Sequence, residues 1–363
     1  ILADINEMII DYNTPDKPKP PMGDGSNDKT ATSDQDNTNS GTMILDATCA
    51  PSDIEFPQDI SLLNGSREHL EAMTDELCYT YNIDKPRMYR KLARKDYLNI
   101  ARSKKRTAKK IHKAIRKQLQ YVRRDLNFVM QFTDEGKELS SRQKPLLETI
   151  KKLYEQQKYM YDNNVHCVPD RIVSISQPYI RPIVRGKAAS PVEFGAKFDL
   201  SLDENGLGRI EKLSFDAYNE SEVLVDAVER YKERTGRYPE RVLADKIYRN
   251  RSNLQYCKRH GIRLSGSSLG RPKKDPRADR KLEYIDNADR VAVERAFSLA
   301  KRAYSMGLIR TKLDCTTKSS IALSILAMNI DHLIVVSLRQ FSITIFSRFR
   351  PSYRVDLETE YIL

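Results

Sequence analysis

Three acidic residues stand where packing alone explains them poorly. Met43-Ile44-Leu45-Asp46-Ala47-Thr48 reads as a short apolar strand that delivers an aspartate at its end, and Leu243-Ala244-Asp245-Lys246 does the same. A buried carboxylate without a partner is expensive, so both positions ask for a cation, although a strand-end Asp is also ordinary in a turn. The third acid, Glu294, falls in a helical stretch from about Asp289 to Met306. At about 100° per residue, Arg290 lies about 40° to one side of Glu294 and Lys301 about 20° to the same side. These three form one narrow stripe beside an apolar face of Val293, Ala296, Ala300 and Ala303. Taken singly, this is an amphipathic helix with a solvated charged edge. Taken together, carboxylates suit a hard divalent ion, and Arg and Lys suit phosphate oxygens.

Other candidates fit that chemistry less well. Asp199 sits in a half-exposed alternation, and Asp203 adjoins the Asn205-Gly206 turn. Asp53 and Asp59 follow Asp46 in a loop containing Pro51 and Pro57 and read as turn residues. The five histidines do not cluster with cysteine at zinc spacing, and no C-x-x-C pair occurs among Cys49, Cys78, Cys167, Cys257 and Cys315. Reduced thiols are the simple reading. No Gly-rich phosphate loop is present, which gives no support to a nucleotide cofactor.

The elements that must position the acids follow from periodicity. From Glu193, Ala196, Phe198, Leu200 and Leu202 alternate with polar residues, Asn205-Gly206 turns the chain, and a return strand runs from about Arg209 to Phe215. Asn219 with Glu222 predicts a capping box. The helix behind it buries Val223, Leu224, Ala227, Val228 and Tyr231 and stops at Gly236. Arg241–Asp245 is a short strand, Asn250–His260 a helix, and Ile262–Ser265 another short strand. A basic loop with Arg271, Lys273, Lys274, Arg277, Arg280 and Lys281 leads into the helix of Glu294. The stretch Ser319–Phe346 is the most apolar, but Asn329, Asp331, His332 and Arg339 interrupt it. It predicts a buried C-terminal helix rather than a membrane span.

Charge is unevenly spread. The chain of 363 residues carries 62 Lys and Arg against 50 Asp and Glu, a net +12 that points to a polyanionic partner. Residues 85–124 hold seventeen Lys or Arg and one acid, Asp96. Met88, Leu92, Ile111, Ile115, Leu119 and Val122 recur there at three and four, predicting a basic helix or helix pair. Gly136 breaks it, and a second helical run follows from about Gln143 to Tyr161, so a helical hairpin is expected. Residues 1–42 are acidic and rich in Pro, Gly and Ser, hence a linker. Its first ten residues look like the tail of a helix, and the start at Ile1 rather than Met suggests a fragment or a processed or unconventionally translated product.

The order of elements is strand with Asp46, long insertion, two antiparallel strands, helix, strand with Asp245, helix, strand, helix with Glu294. Apart from the insertion, that is the ribonuclease-H-like order. On Ile44-Leu45-Asp46-Ala47-Thr48-Cys49-Ala50-Pro51, Glu193-Phe194-Gly195-Ala196-Lys197, Leu243-Ala244-Asp245-Lys246-Ile247-Tyr248 and Val293-Glu294-Arg295-Ala296-Phe297, the sequence resembles the DDE transposases of bacterial insertion sequences over roughly residues 41–330. Arg290, Glu294 and Lys301 fit the last three positions of their Y-(2)-R-(3)-E-(6)-K signature, while Asn287 stands where the Tyr belongs.

The resemblance implies an α/β fold with a ribonuclease-H-like mixed sheet and a large basic helical insertion after the first strand. The expected division is a linker at 1–42, the tail of an N-terminal DNA-binding domain, and a catalytic domain at 43–60 and 190–332. A helical insertion at 61–189 and a divergent tail at 333–363 complete it. It further implies metal-dependent DNA cleavage and strand transfer with two Mg²⁺ (or Mn²⁺) ions. Asp46 would bridge both ions, and Asp245 and Glu294 would each complete one. Arg290 and Lys301 would hold phosphates, and Lys104, Lys105, Arg106, Lys109 and Lys110 of the basic helix would grip DNA. A homodimer on DNA, a cytoplasmic, nucleoid-associated location and no membrane partner are expected. The competing readings are a DNA-binding protein that has lost cleavage and a ribonuclease-H-like nuclease without strand transfer.

Overall fold

The computed structural model describes residues 1–12, 39–184, 192–266 and 277–348. Strand β1 (Thr42–Pro51) lies at the centre of a six-stranded sheet. It pairs antiparallel with β3 (Val192–Leu202) and parallel with β5 (Arg241–Ala244). Strand β4 (Gly208–Ser214) pairs antiparallel with β3, and β6 (Arg263–Leu264) pairs parallel with β5. Strand β2 (Pro182–Val184) pairs with the first residues of β3. The order β4–β3–β1–β5–β6 is ribonuclease-H-like, as the element order predicts.

Local sequence fixes these pairings. Asp203 closes the β3–β4 turn by accepting from the N–H groups of Asn205 and Leu207, each at 3.0 Å, and Gly206 takes φ +78° there. Gly195 lies opposite Pro51, where β1 and β3 approach so closely that a Cβ would sit 2.1 Å from the Ala50 carbonyl oxygen.

Both faces of β1 are covered, so its apolar run is continuous rather than alternating. On one face, Met43 and Leu45 join Leu224, Ala227, Val228 and Tyr231 of α6 (Val223–Thr235), with Tyr256 and Cys257 of α7 (Arg251–Arg259). On the other, Ile44 and Ala50 join Phe198, Leu200 and Leu243 against α8 (Arg277–Ala303) and α9 (Asp314–Arg348). Asn219 does not form the expected box with Glu222. Its side chain accepts from Ser221 N–H at 3.2 Å and caps a 3-10 turn, Glu220–Glu222, before α6.

Two other expectations change. Helix α8 begins at Arg277, a dozen residues early, so Arg277, Arg280 and Lys281 are helical; Arg271, Lys273 and Lys274 lie outside the described residues. Helix α9 is buried only in its first half, by Ile321, Ile325 and Met328. Ile334, Leu338 and Phe341 beyond it are exposed, and Asp314–Ser342 is long and apolar enough to cross a membrane by length and composition alone. Helix α1 (Leu2–Tyr12) forms where the first ten residues read as helical. Asn6 donates to the Gly208 carbonyl at 3.1 Å and accepts from Asn329 of α9 at 2.7 Å, while Glu7 meets Arg209 at 3.1 Å.

The insertion is helical: α2 (Asp59–Thr80), α3 (Arg90–Ala101), α4 (Ala108–Asp134) and α5 (Gln143–Asn163). Leu63, Leu70 and Met73 of α2 pack against Val122, Leu126 and Val129 of α4 and Ile150 and Leu153 of α5, in a core separate from the sheet's. Asp96, the lone acid of the basic stretch, ties α3 to α4 through Lys117 and the Tyr121 hydroxyl, both at 2.9 Å.

The close β1–β3 approach is testable. Gly195→Ala forces the strands apart at Pro51 and costs about 1–3 kcal/mol. A thermal melt of the variant should show a lowered Tm; an unchanged Tm means that the pairing yields freely there.

Candidate active site

The parallel register of β1 with β5 sets the site. Leu45 is paired with Ala244, so Asp46 follows within β1 and Asp245 follows just past the end of β5. Each carboxylate is anchored to its own backbone. Asp46 Oδ1 accepts from Ala47 N–H at 2.8 Å, and Asp245 Oδ1 accepts from Lys246 N–H at 2.7 Å at the start of a 3-10 turn, Lys246–Tyr248.

Helix α8 brings the third acid. Val293, Phe297 and Ala300 pack on the sheet face that carries Ile44 and Leu243, which leaves the Arg290–Glu294–Lys301 stripe along the edge facing β1. Arg290 reaches all three acids. Its Nη1 lies 4.0 Å from Asp46 Oδ2 and 3.8 Å from Asp245 Oδ1, and its Nη2 lies 3.7 Å from Glu294 Oε1. Lys301 Nζ donates to Thr48 Oγ1 at 3.0 Å, two residues beyond Asp46 on β1. Asn287 is exposed on the same helix.

Burial pushes the Asp46 carboxyl up to about 6, against the Ala47 N–H bond and the Arg290 charge, which hold it down. Asp245 and Glu220 add to the rise. The donor set is all carboxylate oxygen, which suits Mg²⁺ or Mn²⁺. Yet the acids meet at a guanidinium, and among the described residues no group of three or more His, Cys, Asp or Glu is spaced to hold a metal ion.

Two supports of the site are not evident from the sequence. Arg241 and Arg263 begin neighbouring strands and face each other in register, a like-charge pair that needs an anion. Asp286 of α8, almost fully buried, answers it: Arg263 grips it with two bonds of 2.6 and 2.8 Å, and Arg241 meets Asp289 at 2.8 Å. That clamp sets α8 over β5 one turn before Arg290. The signal was the two strand-initial arginines. The second support is Asp199, which is fully buried rather than half-exposed. It accepts from the Tyr248 hydroxyl at 2.6 Å and from the Tyr218 hydroxyl, pinning the turn that follows Asp245. Burial raises Asp199 to about 6 as well.

The basic-helix candidates lie apart from these acids, in the insertion. Lys104 and Lys105 are exposed in the loop before α4, and Lys109 and Lys110 are exposed in its first turn. Arg106 is turned back onto the loop, donating to the carbonyls of Ala101 at 2.5 Å and Ser103 at 3.3 Å, and to Gln58 Oε1 at 3.3 Å.

Asp46 carries a stability signature. Its carboxyl titrates near 6 in the fold and near 3.8 when unperturbed, so the native state holds the proton more tightly. Above pH 6 the ionised form costs stability, and the cost fades as pH falls from 6 towards 3.8. Asp46→Asn should therefore raise stability at pH 8 by up to about 3 kcal/mol, and by much less at pH 4.5. Paired denaturant melts at the two pH values check this; an equal or greater gain at pH 4.5 contradicts the assigned cause.

Comparison with curated proteins and with solved structures yields no match. Residues 242–331, which run from β5 through Asp245, α8 and the first half of α9, match the family model described as a transposase DDE domain.

Proposed function

We propose that the chain catalyses metal-dependent DNA strand cleavage and strand transfer in transposition. The observation that carries this reading is the convergence of Asp46, Asp245 and Glu294 on one cation from three separate elements, two of them inside the segment that matches the transposase DDE domain. Three acids brought to one guanidinium from separate elements serve no packing purpose. A bound divalent pair would stabilise the attacking and leaving oxygens of an in-line phosphoryl displacement, with the three carboxylates as its ligands. Asp46, the most buried of the three, is held in one orientation by Ala47 N–H. Asp245 is held by Lys246 N–H and, through Tyr248, by Asp199. Lys301, lodged against Thr48, and Arg290 hold non-bridging phosphate oxygens of the DNA.

A second reading is a DNA-binding protein without cleavage. It is favoured by the absence, among the described residues, of a closed metal-ligand cluster. Single substitutions separate the two. Asp46→Asn, Asp245→Asn and Glu294→Gln should each lower Mg²⁺-dependent nicking of duplex DNA by about a thousandfold or more, as losing a group specific to the transition state does, with duplex affinity changed less than about threefold. Wild-type protein that binds duplex but never nicks it supports the second reading.

Helix α4 supplies the proposed duplex grip. Lys109, Lys113, Arg116 and Arg123 recur along it at spacings of three, four and seven, and Lys104 and Lys105 extend the charge into the preceding loop. Such contacts grip phosphate with little base preference. Replacing Lys104, Lys105, Lys109 and Lys110 with Gln should weaken binding to every duplex alike and flatten log K against log salt by about 0.9 per lost contact. Arg106→Gln alone should leave the slope unchanged, because its guanidinium is spent on the loop. A fourfold variant with wild-type slope places the grip elsewhere.

A further inference from the structure

Arg290 and a divalent cation contend for the same oxygens. The guanidinium sits 3.7–4.0 Å from one oxygen of each acid, beyond the length of a direct N–H···O bond with any of them. It is thus a counter-ion shared by three carboxylates rather than the fork of one ion pair. Its side chain is only 22% exposed, so it is lodged among them. The aspartates are the fixed parts of this arrangement, bonded to their own backbones through Ala47 and Lys246 N–H. Arg290 is the part that can move, with a long side chain and no bond shorter than 3.7 Å to any of the three acids. A divalent ion seated among these oxygens would face a like charge within a few ångströms unless the guanidinium left.

We infer that Arg290 is the counter-ion of the metal-free site and gives up the three carboxylates when a divalent ion takes them. Its charge is then free for a DNA phosphate beside the metals. Metal and DNA therefore bind with positive coupling: phosphate draws Arg290 away from the acids, and metal drives it towards phosphate. By linkage, each ligand tightens the other by the same factor. The protein alone would hold metal weakly, and a complete site would form only on DNA. This rests on the reading of Asp46, Asp245 and Glu294 as ligands, and goes beyond it in assigning Arg290 two alternating partners.

The test is Mn²⁺ binding to the full chain, followed by calorimetry and by loss of the free-ion electron-spin-resonance signal, with and without a short duplex of arbitrary sequence. Wild type should bind Mn²⁺ about fivefold or more tightly with duplex present. Arg290→Gln should bind Mn²⁺ more tightly than wild type without DNA, and most of the tightening by duplex should vanish. Equal Mn²⁺ affinity in wild type and variant without DNA overturns the inference, as does undiminished coupling in the variant. If Arg290→Gln does not fold, Arg290→Met, which also removes the charge but keeps much of the apolar stem, is read in the same way. An Asp245→Asn control separates the two levels. Wild-type Mn²⁺ binding that survives this control unchanged, or no Mn²⁺ binding by any of the proteins, rejects the ligand reading and the inference with it. Asp245-dependent binding that ignores Arg290 rejects the inference alone.

Discussion

Three carboxylates gathered within 4.0 Å of one guanidinium repel one another. That repulsion is the constraint around which this molecule is arranged. The acids arrive on strand β1, at the end of β5 and on α8, so no single element can spread them apart without losing its own packing. Asp46 cannot withdraw, because β1 is hydrogen-bonded on both sides and buried on both faces. Asp245 cannot swing away, because Tyr248, three residues on, is bonded to Asp199 in the depth of the fold. A positive charge is the remaining remedy, and Arg290 supplies it.

What holds Arg290 there is a second electrostatic arrangement one helical turn away. Neighbouring strand starts place Arg241 beside Arg263; Asp286 of α8 meets both, and Asp289 meets Arg241. Asp286 is nearly inaccessible, so its charge is not diluted by water, and the two-bond contact with Arg263 fixes orientation as well as distance. Apolar packing of Val293, Phe297 and Ala300 then lays the rest of α8 on the sheet. The clamp sets where the helix starts across the strands, and the apolar face sets its rotation. Together they decide which α8 side chains can reach Asp46.

Much of this was legible in the sequence because it is local. Alternation through Ala196–Leu202, the Asn205-Gly206 turn and the apolar runs ending on Asp46 and Asp245 each depend on residues close in the chain, and the strand order followed from their succession. The stripe of Arg290, Glu294 and Lys301 was legible as helical spacing. Long-range partnership was not. Nothing near Asp199 in sequence says that two tyrosine hydroxyls will bury it, and simple alternation mistook it for a half-exposed residue. The early start of α8 was hidden by a basic run that reads as loop, although Arg277, Arg280 and Lys281 are good helix formers. The exposed second half of α9 was missed because hydropathy reports composition and not what lies alongside.

The division of charge between the two cores has its own logic. Seventeen Lys or Arg within residues 85–124 would neutralise the carboxylates if they were folded against them, and an acid already paired with lysine is a poor ligand for anything else. The helical insertion avoids this by building a core of its own from α2, α4 and α5. The exposed charge of α4 is thereby presented on an element distinct from those that carry the acids, and exposed charges more than about 10 Å apart at 0.1 M salt are largely screened from one another. Within the insertion, Asp96 and the carbonyls around Arg106 absorb individual cations and fix the α3–α4 corner, while Lys109 and Lys110 stay open to solvent.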